Sequence, residues 1–274
     1  MRLDFDTAGP DTGPAVILLH GLSDSRESYE PVVDHLRDRD ARVLNVDLRG
    51  HGWSARADRY RAVDYAADVA ELIDAEAAGP AIVVGHSLGG LTGSALATLA
   101  PGAVAALFLE DPPLYEGDDE IRAASPAASF FPAFVEQVRA WQAQGTSEAE
   151  VAEALGRAPS AYGVPMLERM GADRIAARAR SVLAFDPATM EAAITGDVWE
   201  DYDPSAPMDC PVTVLRADPA VGAVFLPEQA EWYLQAVPDA RIDIVPGLAH
   251  SIHSDPIGLA PYLAALDEFL TALD

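Results

Sequence analysis

The sequence has one cysteine and no lysine. Cys210 is the single cysteine among 274 residues, which excludes an internal disulfide bond. It stands next to Pro211 at the start of an apolar stretch, a position typical of a packed thiol rather than a nucleophile. No apolar run approaches the ~20 residues that a membrane-spanning helix needs. The first six residues also lack the apolar core of a signal peptide. We therefore expect a cytoplasmic protein with no membrane partner.

Positive charge is scarce as well. All 18 basic side chains are arginines, against 44 Asp and Glu, and the formal net charge is −26. Such an acidic surface repels phosphates, so we expect no nucleic-acid partner. The length suits one large domain or a domain with an insertion, and a hydrophobic content of 50% is enough to build a full core. We expect a small-molecule ligand and a monomer or homodimer.

Apolar runs without polar alternation recur in the first 110 residues and again after residue 210. Such runs are typical of strands covered on both faces, and helical patterns separate them, which predicts an α/β fold with a mostly parallel sheet flanked by helices. The predicted strands are 15–19, 42–46, 81–84, 104–109, 212–215 and 241–245. Ligands bind such sheets at the carboxyl ends of the strands. The polar residues expected there are His20, Asp47, Ser87 and Asp111.

Between residues 114 and 207 the strand pattern stops. Helical patterns replace it, among them 167–183, and Ser147 with Glu150 predicts a capping box at a helix start. We interpret 114–207 as a helical cap inserted into a core made of 1–113 and 208–274. Four aromatic residues of this insertion either line an apolar substrate pocket or only pack the insertion together: Phe131, Phe134, Trp141 and Trp199.

The strongest single motif is Gly85-His86-Ser87-Leu88-Gly89. It follows an apolar run and precedes a helical pattern, and Gly-x-Ser-x-Gly at such a turn is the signature of a nucleophile elbow. Glycine tolerates the backbone angles of this tight turn, which presents one hydroxyl at the tip of the sheet. The motif predicts a nucleophilic Ser87. The alternative is a buried serine at a glycine-rich corner.

Taken together, the motifs resemble those of the α/β-hydrolase family. The resemblance rests on His20-Gly21, on Asp-Leu-Arg-Gly-His-Gly-Trp-Ser at 47–54, on the Ser87 motif and on Gly247-x-x-His250, in this order. It covers the predicted core, whereas the insertion is cap-like only in position and length. An α/β-hydrolase fold with an inserted helical cap is therefore the expected architecture.

The resemblance also implies roles for individual residues. Ser87 is the expected nucleophile, and it needs an adjacent base because a free hydroxyl is a weak nucleophile. His250 is the expected base, with His253 as the alternative. The backbone N–H groups of Leu22 and Leu88 are the expected oxyanion donors. The resemblance implies no metal and no cofactor.

The carboxylate that orients the histidine has three candidates. In most of the family it follows the strand that ends here at Leu215, but the usual position falls nearer Ala220 than Asp218. Some members, including the zearalenone lactonases, take this acid from the end of the preceding core strand, which here is Glu110-Asp111. We predict Asp111, with Glu110 and Asp218 as the alternatives.

The expected activity is hydrolysis of a carboxylic ester or lactone with an apolar portion, through an acyl-enzyme. The same triad also supports cleavage of a carbon–carbon bond next to a ketone and cofactor-free perhydrolysis. A non-catalytic receptor that binds a small ligand in the same pocket is an alternative of a different class.

Overall fold

The computed structural model describes residues 1–39 and 41–273, and a seven-stranded sheet forms its centre. The strands are β1 (Asp4–Ala8), β2 (Ala15–Leu19), β3 (Arg42–Asp47), β4 (Ala81–His86), β5 (Val104–Glu110), β6 (Val212–Arg216) and β7 (Arg241–Ile244). Their order in the sheet is β1-β3-β2-β4-β5-β6-β7. All neighbouring strands are parallel except β1 and β3. The mostly parallel sheet predicted from the apolar runs is confirmed.

Eleven α-helices accompany the sheet in the described residues. They are α1 (Glu30–Arg37), α2 (Ala62–Glu76), α3 (Leu88–Leu99), α4 (Asp119–Ala124), α5 (Pro126–Gln144), α6 (Glu148–Arg157), α7 (Met166–Met170), α8 (Ala172–Ala184), α9 (Pro187–Thr195), α10 (Pro227–Ala236) and α11 (Leu259–Thr271). Helices α2, α3 and α10 pack on one face of the sheet, and α1 and α11 pack on the other.

The continuous apolar character of β2 follows from this two-sided burial. Side chains alternate between the two faces of a strand. Ile17 and Leu19 join the core under α2, α3 and α10, whereas Val16 and Leu18 join the core under α1 and α11. A strand with only one buried face would alternate with polar residues instead.

Helices α4 to α9 all lie in the segment between β5 and β6, which we call the helical insertion. Helices α5, α6, α8 and α9 share a small core that includes Phe134, Val138 and Val182. The predicted capping box is present, because Ser147 N–H donates to the Glu150 carboxylate at 3.0 Å and Ser147 Oγ accepts from Glu150 N–H. The continuous helix expected over 167–183 is wrong: it is broken at Gly171, whose φ of +82° no regular helix accommodates.

The order of the strands reverses between β2 and β4. The chain goes from β2 outwards to β3 and then returns to place β4 on the other side of β2. In open α/β sheets this reversal opens a crevice at the carboxyl ends of the two strands, where ligands bind. Gly21 and Leu22 follow β2, and Ser87 follows β4, so both segments border this crevice. None of the helices in the described residues has the length and apolarity needed to cross a membrane.

Candidate active site

Ser87 occupies a strained turn between β4 and α3. Its φ is +51° and its ψ is −114°, a combination that is rare for a residue with a side chain. The turn is so tight that a Cβ on Gly85 would lie 2.4 Å from the carbonyl oxygen of Gly89. A Cβ on Gly89 would lie 2.0 Å from the carbonyl oxygen of Leu19. The two glycines of the motif are therefore a steric requirement of the turn that presents Ser87.

His250 is paired with Asp111. Its Nδ1 donates to Asp111 Oδ2 at 2.7 Å. His250 lies in the loop after β7, and Asp111 is the first residue after β5. His250, Ser87 and the neighbouring His86 all line one cavity. A carboxylate that fixes one ring nitrogen of a histidine leaves the other nitrogen, Nε2, free to accept a proton.

The Asp111 carboxylate is held by the backbone around it. Oδ2 also accepts from Val224 N–H at 2.8 Å, and Oδ1 accepts from the N–H groups of Ala217 and Phe225 at 3.3 and 3.2 Å. Asp111 is fully buried and its φ is +42°. Since several donors fix the carboxylate, His250 has little freedom to rotate.

The other two candidate acids bind elsewhere. Glu110 pairs with His253, whose Nδ1 donates to Glu110 Oε2 at 2.6 Å. Asp218 is half-buried and accepts from the N–H groups of Gly247 and Ala220, which makes it a turn-forming residue. Of the three carboxylates, the structure brings Asp111 alone to His250.

The segments that carry Leu22 and Leu88 border the same cavity as Ser87. A Cβ on Gly21 would lie 3.4 Å from Ser87 Cβ, so the Gly21-Leu22 segment passes close to the serine. Across residues 1–39 and 41–273, neither Leu22 N–H nor Leu88 N–H donates to a protein acceptor. Two free N–H groups beside a serine are the arrangement that an oxyanion hole requires.

An arginine from the helical insertion holds the segment after Leu22. Arg178 on α8 donates from Nη1 to the carbonyl oxygen of Ser23 at 2.7 Å and from Nη2 to Ser23 Oγ at 2.8 Å. From the other side, His51 Nε2 accepts from Ser23 N–H at 3.2 Å. Ser23 has a φ of +58°. No sequence pattern predicts the Arg178 contact, because it joins residues 155 positions apart and belongs to no motif.

Burial and charge act in opposite directions on the pKa of His250. Burial lowers the pKa, but the hydrogen bond and charge of Asp111 outweigh burial, with help from Glu110 and Glu116, so the pKa is raised. For His86, burial lowers the pKa well below its ordinary value. Asp111 therefore favours the protonated form of His250, whereas burial disfavours the protonated form of His86.

The cavity has a volume of about 730 Å³ and two kinds of lining. Apolar side chains of the helical insertion and α3 form one part, among them Phe131, Trp199 and Leu91. Charged side chains form the other part: Arg169, Arg174, Arg178 and Arg180, with Asp24, Glu27, Glu30, Glu116, Asp173 and Asp255.

Two of the four predicted pocket aromatics do not line the cavity. Phe131 and Trp199 do, but Phe134 and Trp141 pack in the core of the helical insertion, with their rings 6.5 Å apart. The three of these aromatics that lie on α5, Phe131, Phe134 and Trp141, share one stripe at helical spacing. Because that stripe serves both the cavity and the core of the insertion, the sequence pattern alone did not separate the two roles.

Glu116 is a further buried carboxyl in this cavity, and only 6% of the residue is exposed. Burial raises its pKa, with a smaller contribution from Asp111, while Ser125, His250 and Arg122 act in the opposite direction. The described residues contain no group of three His, Cys, Asp or Glu side chains placed to hold a metal ion.

The sequence model of the protein family described as "alpha/beta hydrolase fold" matches residues 14–235 of this chain. That is well over half of the chain, and the chain belongs to the α/β-hydrolase family.

Two curated relatives are a putative carbamate hydrolase from Variovorax paradoxus and a 2-(acetamidomethylene)succinate hydrolase from Mesorhizobium japonicum. The first is 40% identical over 111 residues, or 40% of this chain and 42% of the relative. The second is 36% identical over 111 residues, or 40% of each chain. These matches span about two fifths of the relatives' length. A solved thermophilic esterase from Thermogutta terrifontis superposes with a TM-score of 0.69 at 24% identity, covering 99% of this chain and 93% of that one, which shows the shared fold.

Proposed function

We propose that this chain is a serine hydrolase that cleaves a carboxylic ester or lactone through an acyl-enzyme. The observation that carries the proposal is the Asp111–His250 pair, at 2.7 Å, in the cavity that Ser87 lines from its strained turn. The Asp111 and His250 side chains together supply an oriented base, and the elbow supplies an exposed hydroxyl.

In the first half of the reaction, Ser87 Oγ attacks the carbonyl carbon and His250 Nε2 takes up the hydroxyl proton. The carbonyl oxygen becomes an oxyanion, which the N–H groups of Leu22 and Leu88 stabilise. The bond between the carbon and the leaving oxygen then breaks, and His250 gives its proton to the leaving alcohol. Asp111 stabilises the positive imidazolium throughout this step.

In the second half, a water molecule attacks the acyl carbon while His250 takes up one of its protons. Collapse of this second oxyanion breaks the bond to Ser87 Oγ, which regains the proton from His250, and the carboxylic acid leaves. With a lactone the alcohol and the acid belong to one molecule, so a single hydroxy acid is released. The steps need no group beyond the three side chains, two N–H donors and water.

The lining of the cavity supports a substrate with an apolar portion. Phe131 and Trp199 come from the helical insertion, whereas Leu91 comes from α3, so the substrate lies between the insertion and the sheet. This position supports the interpretation of 114–207 as a cap over a core of 1–113 and 208–274. The named relatives are hydrolases, one of a carbamate and one of 2-(acetamidomethylene)succinate, which supports attack on an acyl carbon.

The experiment is labelling with a fluorophosphonate probe, followed by assays on p-nitrophenyl esters and lactones. We expect the wild-type protein to be labelled and Ser87→Ala to lose both labelling and at least about 10⁴-fold in turnover. Ser129→Ala, which removes an exposed hydroxyl on α5, is the matched control and keeps the label. A folded wild-type protein that takes up no label contradicts the proposal and favours a ligand-binding receptor.

A further inference from the structure

Four arginines line the cavity, and three of them already have a carboxylate partner. Arg169 binds Asp255 through two hydrogen bonds of 2.7 and 2.8 Å. Arg180 binds Glu27 through its Nε and Nη2. The carboxylate nearest to Arg178 is that of Asp24, whose Oδ1 lies 3.7 Å from Arg178 Nη1. The Nη atoms of Arg178 donate to Ser23. These three positive charges are balanced within the protein.

Arg174 differs from these three. No carboxylate oxygen of the described chain lies within 4 Å of its guanidinium, and its one hydrogen bond goes from Nη1 to the carbonyl oxygen of Ser254. A guanidinium carries five N–H donors, so most of those on Arg174 have no protein acceptor. The side chain is partly buried, and burial lowers its pKa from the ordinary value, although the charge of Asp255 opposes this effect. A desolvated cation of this kind gains more from an anion than an exposed one does.

Asp255 is not available to Arg174 as a direct partner. Its Oδ1 accepts from the N–H groups of Ile257 and Gly258 as well as from Arg169, and its Oδ2 accepts from Arg169. The carboxylate is therefore fixed at the start of α11. Two of the other acids that line the cavity, Glu30 and Asp173, compete weakly because they are exposed, where water and salt screen their charges.

Arg174 lines the same cavity as Ser87 and His250. Its partner Ser254 stands four residues after His250 in the same loop, and both line the cavity. Four residues of chain span at most ~14 Å. This bounds the separation of His250 and Ser254 only, and an anionic group at Arg174 and a carbonyl at Ser87 lie in one cavity, joined by the rest of the substrate.

On the basis of the proposed function, we propose that Arg174 binds a carboxylate carried by the substrate, which is then a half-ester or lactone of a dicarboxylic acid. The planar fork of a guanidinium matches the two oxygens of a carboxylate. A single uncompensated arginine in a chain with a net charge of −26 suits a singly charged group better than a doubly charged phosphate. The apolar lining from Phe131 and Trp199 accommodates the remainder of the molecule.

The test is binding of monoethyl adipate and diethyl adipate to the Ser87→Ala protein, measured by isothermal titration calorimetry. We expect the monoester, which carries a carboxylate, to bind more tightly than the diester. Adding Arg174→Gln should weaken monoester binding roughly tenfold or more, the effect of losing a charged hydrogen bond. Arg157→Gln is the matched control, because Arg157 lies on α6 outside the cavity with 76% of its side chain exposed.

Three results overturn the inference: no binding of the monoester, equal affinity for the two esters, or monoester affinity unchanged by Arg174→Gln. Circular dichroism checks the folding of each variant. If Arg174→Gln does not fold, Arg174→Lys replaces it, because lysine keeps the charge but loses the planar fork. We then expect the monoester to bind more weakly than it binds the Ser87→Ala protein with Arg174 intact. An unchanged affinity overturns the inference. These binding measurements need no turnover. A negative binding result therefore counts against the role of Arg174, whereas missing fluorophosphonate labelling counts against the proposed function.

Discussion

Two acid–histidine pairs lie side by side at the end of β5, and they differ mainly in exposure. Asp111 pairs with His250 at 2.7 Å, and Glu110 pairs with His253 at 2.6 Å. The His250 side chain is 29% exposed and lines the cavity, whereas that of His253 is fully buried. The same two functional groups therefore face the cavity in one pair and are enclosed in the core in the other.

The sealed pair holds the loop that carries the catalytic candidate. Besides the hydrogen bond from the His253 ring, the Glu110 carboxylate accepts from the backbone N–H groups of Ile252 and His253, the latter at 3.0 Å. The ring of Tyr29 stacks on His253 at 4.3 Å between centroids. His253 Nε2 is buried and has no partner within the described chain, so it has no contact through which to pass on a proton. The pair thus fixes the conformation of the loop from within the core.

The sharpest way to test this comparison is Asp111→Asn. An amide facing Nδ1 donates rather than accepts, so His250 shifts its proton to Nε2 and can no longer take up the proton of Ser87. We expect a loss of about 10⁴ in kcat on an ester that the wild type cleaves, with folding retained. Asp218→Asn, the matched change at the candidate acid that contacts neither histidine, should stay within about tenfold of the wild type. Near-full activity of Asp111→Asn would show that another carboxylate completes the triad.

Glu110→Gln makes the same chemical change in the sealed pair and should affect stability instead. His253 shifts its proton to Nε2, which is buried without an acceptor, and an unsatisfied buried donor costs about 2 kcal/mol. We expect the free energy of unfolding in urea to fall by about this amount. Because the contact between Asp111 and His250 is untouched, kcat should change less than about tenfold. A loss of kcat as large as that of Asp111→Asn would mean that the two pairs act as one unit.

Most of the sheet was predictable from the sequence, for a physical reason. Each of the six predicted strands is present, as β2 to β7. A strand buried on both faces, such as β2, is apolar throughout and is therefore easy to recognise. Ser87 was also predictable, because its turn has no room for a side chain at two nearby positions, which are Gly85 and Gly89. His250 was found through the family motif around Gly247.

The carboxylate that pairs with His250 was harder to predict, because the side chains of neighbouring residues on a strand point in opposite directions. A shift of one position exchanges Glu110 and Asp111, and only the structure shows which of them pairs with which histidine. The contacts of Arg174 and Arg178 were not predictable at all. They join α8 to loops distant in the chain, and no local pattern encodes them.

The smallest expected effect concerns pH and separates the two histidines directly. A base must be neutral to accept a proton, so kcat/KM should rise about tenfold per pH unit below the pKa of His250 and level off above it. Asp111 raises the pKa of His250 against the effect of burial. The rising limb of the plot of kcat/KM against pH should therefore lie above the pH at which an ordinary histidine titrates. In Asp111→Asn only burial and more distant charges remain, so the limb of the residual activity should move to lower pH. Asp218→Asn should leave it in place. A limb that stays fixed in Asp111→Asn would mean that the titrating group is not His250.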